Sequence, residues 1–334
     1  MTSQEWNQGK LLQVSGAYWQ TCTLHAAVKM DVFSRIGKNS LAGNEIADKL
    51  NMPAKGIIVL LDALSAMGLL NKRGNSYANT KEALAYLSKT SEQYIGYMIL
   101  HHHHLADSWV NMDKAFTTGG PIRNAGKSPD PKVRESFLMG MFNIAMAIAP
   151  GLAQSLDLSK CNSLLDLGGG PGTFAIQFCL HNPQLEAVVC DLPTTRPFAE
   201  KTIQRFKVED RVSFKQGDYT KKDFSLGQTF DAAWLSHILH GEGPETAQIV
   251  IDHTVAALNP GGRILIHDFI LEDTKDAPLF PALFSINMFI GTEEGRSYSQ
   301  SELIHMLESA GVYDIARLDF KGPTESGILT GLVS

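Results

Sequence analysis

The spacing of apolar positions changes part-way along the chain, from helical intervals in the first half to short apolar runs alternating with helical stretches in the second. Residues 15–36 carry Ala17, Tyr18, Ala26, Ala27 and Phe33 at helical spacing and predict one long helix. Residues 41–50 predict a short helix, 51–53 a turn, and 54–67 a helix with the stripe Ile57, Ile58, Leu60, Leu61 and Leu64. Leu69-Leu70 and Tyr77-Ala78 then flank a polar turn over 71–76. Helix, turn, helix and hairpin in that order predict a winged helix. From Ser91 to about Pro150 the helical pattern returns, interrupted over 117–132 by a loop rich in Gly, Pro, Lys and Asn.

The second half alternates β and α. The run 164–167 breaks into Gly168-Gly169-Gly170-Pro171-Gly172, and a helical pattern starts at Phe174. Runs at 185–190, 212–215, 230–235 and 263–270 predict four more strands, and Pro244 opens a helix that reaches the turn Asn259-Pro260-Gly261-Gly262. A helix over 279–290 is apolar nearly all round, and the tail segments 315–320 and 328–333 predict a closing antiparallel hairpin. The fold class is therefore α/β: a Rossmann-like parallel sheet with a C-terminal hairpin, preceded by a helical winged-helix domain. The expected boundaries are 1–92 for that domain, 93–160 for a helical linker and substrate lid, and 161–334 for the ligand-binding domain. Open α/β sheets bind ligands beyond the carboxyl ends of their strands, so Asp166, Asp191, Asp218, His237, His240 and Asp268 are expected on one rim.

Composition narrows the class. The 334 residues suit about two domains, and 44% apolar with 19% charged residues is ordinary for a soluble protein. A formal charge of -6 gives no general attraction to nucleic acid or anionic membrane. No apolar run approaches the roughly 18 residues of a membrane span, and the polar start 1–10 does not read as a signal peptide. The four cysteines, Cys22, Cys161, Cys179 and Cys190, show no CxxC and read as buried thiols of a cytoplasmic protein. A winged helix suggests DNA, but its reading helix carries Lys55 and Asp62 and little other charge, so a dimerisation role is expected instead. In the tract His101-His102-His103-His104 only His101 and His104 share a helix face; the four cannot chelate one metal and read as polar filling beside a cavity. Phe137, Met141, Phe142 and Met146 form a soft apolar stripe, core or the wall of a site for a flat substrate. Phe284, Asn287 and Met288, on the helix over 279–290, are expected to cover that acceptor site.

The glycine loop selects the ligand. A dinucleotide fingerprint counted from Gly168 requires glycine where Thr173 stands, and no Lys-Ser/Thr pair follows to make a phosphate loop. What remains is an acidic residue two places before a Gly-x-Gly-x-Gly run, the pattern of S-adenosylmethionine sites. Asp166 beside the loop can help hold a cationic methionine end. Asp191, 25 positions later at the end of the next run, can bond ribose hydroxyls.

With Asp166 to Gly172, Asp191-Leu192-Pro193, Gly217-Asp218, Ile238-Leu239-His240 and Asn259-Pro260-Gly261-Gly262-Arg263 in order, the chain resembles a family of small-molecule O-methyltransferases. That family includes plant caffeate methyltransferases, acetylserotonin methyltransferase and bacterial enzymes acting on antibiotics, phenazines and bacteriochlorophyllides. The resemblance implies that Gly168, Gly170 and Gly172 hold the methionine end, Asp191 with Leu192 the ribose, and Asp218 and Tyr219 the adenine, with Gly217 and Ser236 alongside. It implies His240 as general base and Asp268 as the carboxylate that fixes its imidazole. His237, one helical turn away, competes for the role, and His267 is expected on the opposite side of its strand from Asp268.

A base has work to do on a phenol, which with a pKa near ~10 is mostly protonated at neutral pH, whereas the phenolate is the better nucleophile. The family's plant members follow their base with Asp and Trp, where Gly241 and Glu242 stand here, and they carry a glutamate near Ser297 and a lysine near Ser236. These departures leave open a carbon or nitrogen acceptor, including a tetrapyrrole. No acidic metal triad is visible, so no metal is expected. The leading expectation is methyl transfer from S-adenosylmethionine to a hydroxyl of a flat aromatic molecule, leaving S-adenosylhomocysteine, in a homodimer paired through the N-terminal domain. The alternatives are a ligand-sensing winged-helix regulator, a dinucleotide-dependent oxidoreductase and a family member that has lost transfer activity.

Overall fold

Residues 5–123 and 130–334 are described by a computed structural model. Residues 1–4 of the polar start and 124–129 of the loop expected over 117–132 lie outside the described residues. Contacts divide the chain into two compact units, Met1–Ala106 with Glu135–Asn143, and Asp107–Arg134 with Ile144–Ser334. The helical stretch 93–160 thus contributes to both.

The first unit opens with α1 (Gln8–Gly16), α2 (Tyr18–Lys29) and α3 (Val32–Ile36), where one long helix is expected from the sequence. The last break falls at Asp31, which takes left-handed φ 62° while its carboxylate accepts from Ser34 Oγ at 2.6 Å. That turn re-aims the chain so that Val32, Phe33 and Ile36 are all fully buried. There follow β1 (Ser40–Ala42), α4 (Gly43–Leu50), α5 (Ala54–Ala66), β2 (Leu70–Arg73), β3 (Ser76–Asn79) and α6 (Lys81–Leu87), with the strands paired antiparallel in the order β1-β3-β2. Of the α5 stripe, Ile57, Leu61 and Leu64 are buried against Phe33, Ile46 and Tyr77 in one core. Next come α7 (Gly96–Val110), α8 (Met112–Thr118) and α9 (Pro131–Ser155).

Two expectations require correction. By length and composition α9 is apolar enough to cross a membrane, although no run in the sequence was expected to approach that. Its Leu138, Phe142, Ala149, Leu152 and Ala153 are buried within protein. Of the four thiols only Cys179 and Cys190 are buried; Cys161 is intermediate and Cys22 is exposed. Cys22 lies on α2, whose buried positions are His25, Ala27 and Val28, so the helix turns it outward.

The second unit carries β4 (Ser163–Leu167), α10 (Thr173–His181), β5 (Glu186–Asp191), α11 (Arg196–Phe206), β6 (Val212–Gln216), β7 (Phe230–Ser236), α12 (Pro244–Ala256), β8 (Leu258–Asp268), α13 (Leu279–Phe289), α14 (Gln300–Ser309), β9 (Val312–Arg317) and β10 (Gly327–Val333). The sheet order is β6-β5-β4-β7-β8-β10-β9. Its first five strands are parallel, and β10 runs antiparallel between β8 and β9, so the tail forms the expected hairpin. Strand alternation explains why the runs are continuously apolar. Leu165, Leu167, Ala233, Leu235, Ile264 and Ile266 face one core, while Leu164, Ala232, Trp234 and Leu265 face another across the sheet. Parallel pairing brings the carboxyl ends of β4 to β8 to one edge.

Candidate active site

The glycine loop leaves β4 at that edge. Gly168 takes φ +65°, and a Cβ there would stand 2.5 Å from Ile238 Cγ2 and 3.0 Å from the Tyr219 hydroxyl, so only glycine fits. Gly170 also takes positive φ, +55°, but a Cβ there would meet nothing within 4 Å. Its backbone therefore borders open space, and its N–H donates to Asp191 Oδ2 at 2.9 Å. Gly172 ends the loop as the N-cap of α10.

Asp166 lies inside β4 beneath the loop rather than out on the rim. It is fully buried, and its Oδ2 accepts from Ala175 N at 3.2 Å. Loss of water pushes its carboxyl up to about 7; the Ala175 bond opposes the rise and the charge of Asp191 adds to it. Its Oδ1 is buried with no partner among the described residues. An unpartnered carboxylate oxygen under a loop whose backbone borders open space suits a ligand with a cationic end.

Asp191 closes β5. Its Oδ1 accepts from Leu192 N at 2.6 Å and Thr195 Oγ1 at 3.0 Å, and with the Gly170 bond to Oδ2 this fixes the carboxylate against the loop. Burial raises its pKa, and those three bonds counter the rise. A carboxylate has about four acceptor sites, so this one retains capacity for hydroxyls. Gly217 N donates to Asp191 O at 2.9 Å, bringing the turn after β6 beside it. In that turn Asp218 Oδ1 accepts from Thr220 N at 3.2 Å and Thr220 Oγ1 at 2.6 Å. Burial, with Asp191 next, pushes the Tyr219 phenol far up, so it stays protonated.

Beyond β7 the chain turns through His237, in left-handed φ 57°, into a 3₁₀ turn at Leu239–Gly241. His240 Nδ1 stands 2.6 Å from Asp268 Oδ1 at the end of β8. His237 Nδ1 lies 3.5 Å from the same oxygen, too far for a well-formed hydrogen bond. Burial alone would raise the Asp268 carboxyl, but the adjoining His240 and His237 outweigh it and hold the group well below the usual range. Burial lowers the His237 pKa, against the pull of Asp268.

His267 is fully buried, held by Ser236 Oγ at Nδ1 and Ser326 Oγ at Nε2, each at 2.9 Å, so the Ser236 hydroxyl is engaged by a core histidine. Phe269 and Phe284 wall His240, with ring centroids 5.8 and 4.7 Å from its own, and Phe280 stacks on Phe284.

On α13, Phe284 therefore touches the histidine, while Met288 is buried and Asn287 Oδ1 accepts from Trp109 Nε1 at 3.2 Å. Phe137, Met141, His101 and His104 belong to the other compact unit, where the His101 and Phe137 rings stand 5.3 Å apart. A surface groove of about 500 Å³ lined by Leu279, Phe280, Leu283 and residues 321–325 contains none of the expected site residues. Thr195 and Phe269 complete the site without being singled out from the sequence. Phe269 was the more findable, as an aromatic directly after Asp268 at a strand end.

A seven-stranded sheet, a glycine loop after its first strand and a His–Asp pair beyond the fourth and fifth define a class. The chain belongs to the O-methyltransferase family: residues 102–313 match the O-methyltransferase domain and 12–89 the O-methyltransferase dimerisation domain. It is accordingly an S-adenosylmethionine-dependent methyltransferase. It is 30% identical over 331 residues to the 3-hydroxy-5-methyl-1-naphthoate 3-O-methyltransferase of Streptomyces sahachiroi, covering 96% of this chain and 94% of that one. Among solved structures it resembles an O-methyltransferase family protein from Burkholderia thailandensis, with TM-score 0.89, 27% identity and 99% of each chain covered. The fold also matches that of PigF with S-adenosylhomocysteine, with TM-score 0.88, 23% identity, 98% of this chain and 100% of that one.

Proposed function

We propose that the protein methylates a hydroxyl of a flat aromatic small molecule, with His240 as general base. The observation that carries this reading is the 2.6 Å contact between His240 Nδ1 and Asp268 Oδ1. An imidazole whose Nδ1–H donates to that carboxylate keeps its lone pair on Nε2, and Asp268 stabilises the imidazolium formed when Nε2 takes the phenol proton. S-adenosylmethionine, when bound, supplies an electrophilic methyl on a sulfonium sulfur. The loop 168–172 and Asp166 would hold its methionine end, Asp191 its ribose, and Asp218 and Tyr219 its adenine. Phe269 and Phe284 favour a planar acceptor by stacking and exclude water from the basic nitrogen. Alignment by such walls is worth about 7 kcal/mol or more, and the base roughly 10²- to 10⁴-fold. A His–carboxylate pair favours an oxygen acceptor over carbon or nitrogen, because removing a hydroxyl proton is the step it serves.

The same reading makes the protein a homodimer through its N-terminal domain. Leu11, Leu12, Val14, Tyr18 and Trp19, all on α1 and α2, are exposed and form an apolar surface suited to a second copy.

The test is calorimetry with S-adenosylhomocysteine and NAD, followed by methyl-transfer assays of wild type and His240→Ala on a panel of hydroxyarenes. The expected result is binding of the first ligand and not the second, with affinity kept but turnover largely lost in the variant. Unchanged turnover would transfer the role to His237 or remove the base altogether.

A further inference from the structure

Arg123 is a half-buried cation that neither the glycine loop nor the histidines use. Its Nη1 donates to Ser108 Oγ at 3.0 Å, and its Nη2 to the carbonyl oxygen and Oδ1 of Asn287, both at 3.3 Å. Its Nε is shut off from solvent and has no partner among the described residues. All three acceptors are neutral. Burial depresses the guanidinium pKa with no acidic group among its causes. Residues 124–129, Asn-Ala-Gly-Lys-Ser-Pro, and 1–4, Met-Thr-Ser-Gln, contain no acid that could pair with it.

The guanidinium packs beside α13. The Ile122 and Arg123 N–H groups donate to Ile290 O, each at 3.2 Å, and a Cβ on Gly291 would stand 2.3 Å from Nη2. Asn287, its partner, follows Phe284 by three residues and so shares that ring's face of the helix, where such neighbours stand about 5–6 Å apart. Phe284 is the ring that meets His240 edge-on at 4.7 Å. Arg123 is therefore about one helical turn further along from the ring that touches the proposed base, roughly the breadth of a fused-ring arene.

A neutral donor would cap the last carbonyls of α13 equally well. A positive charge partly stripped of water, with one N–H buried and no acidic partner among the described residues, is costly unless an anion joins it. We propose that Arg123, with Ser108 and Asn287, forms an anion subsite for a carboxylate carried on the ring of the methyl acceptor. The substrate class is then the hydroxyarene carboxylic acids, with the hydroxyl at His240 and the carboxylate on the guanidinium N–H groups that Ser108 and Asn287 leave unused. This rests on the methyl-transfer reading above.

The experiment titrates hydroxybenzoates and hydroxynaphthoates, each beside its own methyl ester, into the protein saturated with S-adenosylhomocysteine. The wild type is expected to bind at least one acid more tightly than its ester, by about tenfold or more. Arg123→Gln should bring that ratio to about one through loss on the acid, and Arg123→Lys should restore part of it. No preference for acid over ester in the wild type, or binding of no pair by protein that does hold S-adenosylhomocysteine, overturns the subsite. So does an Arg123→Gln protein that weakens acid and ester equally, which is the mark of a packing strut. Failure to bind S-adenosylhomocysteine would instead count against the methyltransferase reading itself, and methylation of esters without an acid preference would leave that reading standing.

Discussion

Asp268 Oδ1 accepts from Phe269 N at 2.8 Å while standing 2.6 Å from His240 Nδ1, so the backbone fixes the carboxylate that in turn orients the imidazole. Asp268→Asn keeps the shape but can present an amide N–H to Nδ1, moving the imidazole proton to Nε2 and removing the basic lone pair. Turnover on a hydroxyarene should fall by about 10²- to 10⁴-fold. Affinity for S-adenosylhomocysteine should hold, measured by calorimetry on the same preparation. Loss of both together would make Asp268 a structural residue.

The loop glycines allow a paired test. Gly168→Ala forces a Cβ against Ile238 and Tyr219, so both thermal stability and cofactor affinity should fall. Gly170→Ala meets no protein atom and should cost only the left-handed backbone penalty, about 1–2 kcal/mol. Its Cβ would nevertheless stand in the space the loop borders. Calorimetry should therefore show Gly170→Ala losing cofactor affinity out of proportion to its small drop in Tm; intact affinity would mean the ligand lies elsewhere.

Burial, countered by the Ala175 bond and helped by Asp191, lifts the Asp166 carboxyl to about 7. In the unfolded chain an aspartate titrates near about 3.9. Because the folded value is the higher, the stability this group contributes is full below the unfolded pKa and is lost as pH rises through about 7. Thermal melts of the cofactor-free wild type and Asp166→Asn across this window should show wild type losing ground to the variant as pH rises. A pH-independent difference would mean that the carboxyl is not strained by burial.

Trp19 and Leu12 are 68% and 64% exposed on adjoining helices. Replacing both with Asp puts charge into the proposed subunit contact at little cost to the folded chain. Light scattering should then report a monomer where the wild type is a dimer. A dimer in both proteins would place the contact on another surface.

The glycine loop and the strand pattern were readable because both are local. A strand buried on both faces is apolar at every position, and a backbone that must take φ +65° beside Ile238 admits only glycine, so each leaves its mark at consecutive residues. The helix expected over 15–36 failed for the opposite reason: its spacing is helical throughout, and only packing of Val32, Phe33 and Ile36 into the core selects the turn at Asp31. Asp166 illustrates the same limit, since its place two residues before the loop suggested a rim carboxylate, whereas strand pairing with Val189 and Trp234 sets it beneath.

What the sequence determined alone was the alternating α/β order of the second half and the cofactor class, with His237, His240 and Asp268 as candidates. Tertiary structure decided which histidine takes the 2.6 Å contact, which rings wall it and that Arg123, from a loop with no periodic pattern, lies against Asn287. The physical reason is range. Backbone conformation and burial periodicity act over a few neighbouring residues, whereas a hydrogen bond between residues 28 or 164 positions apart exists only after the chain has packed.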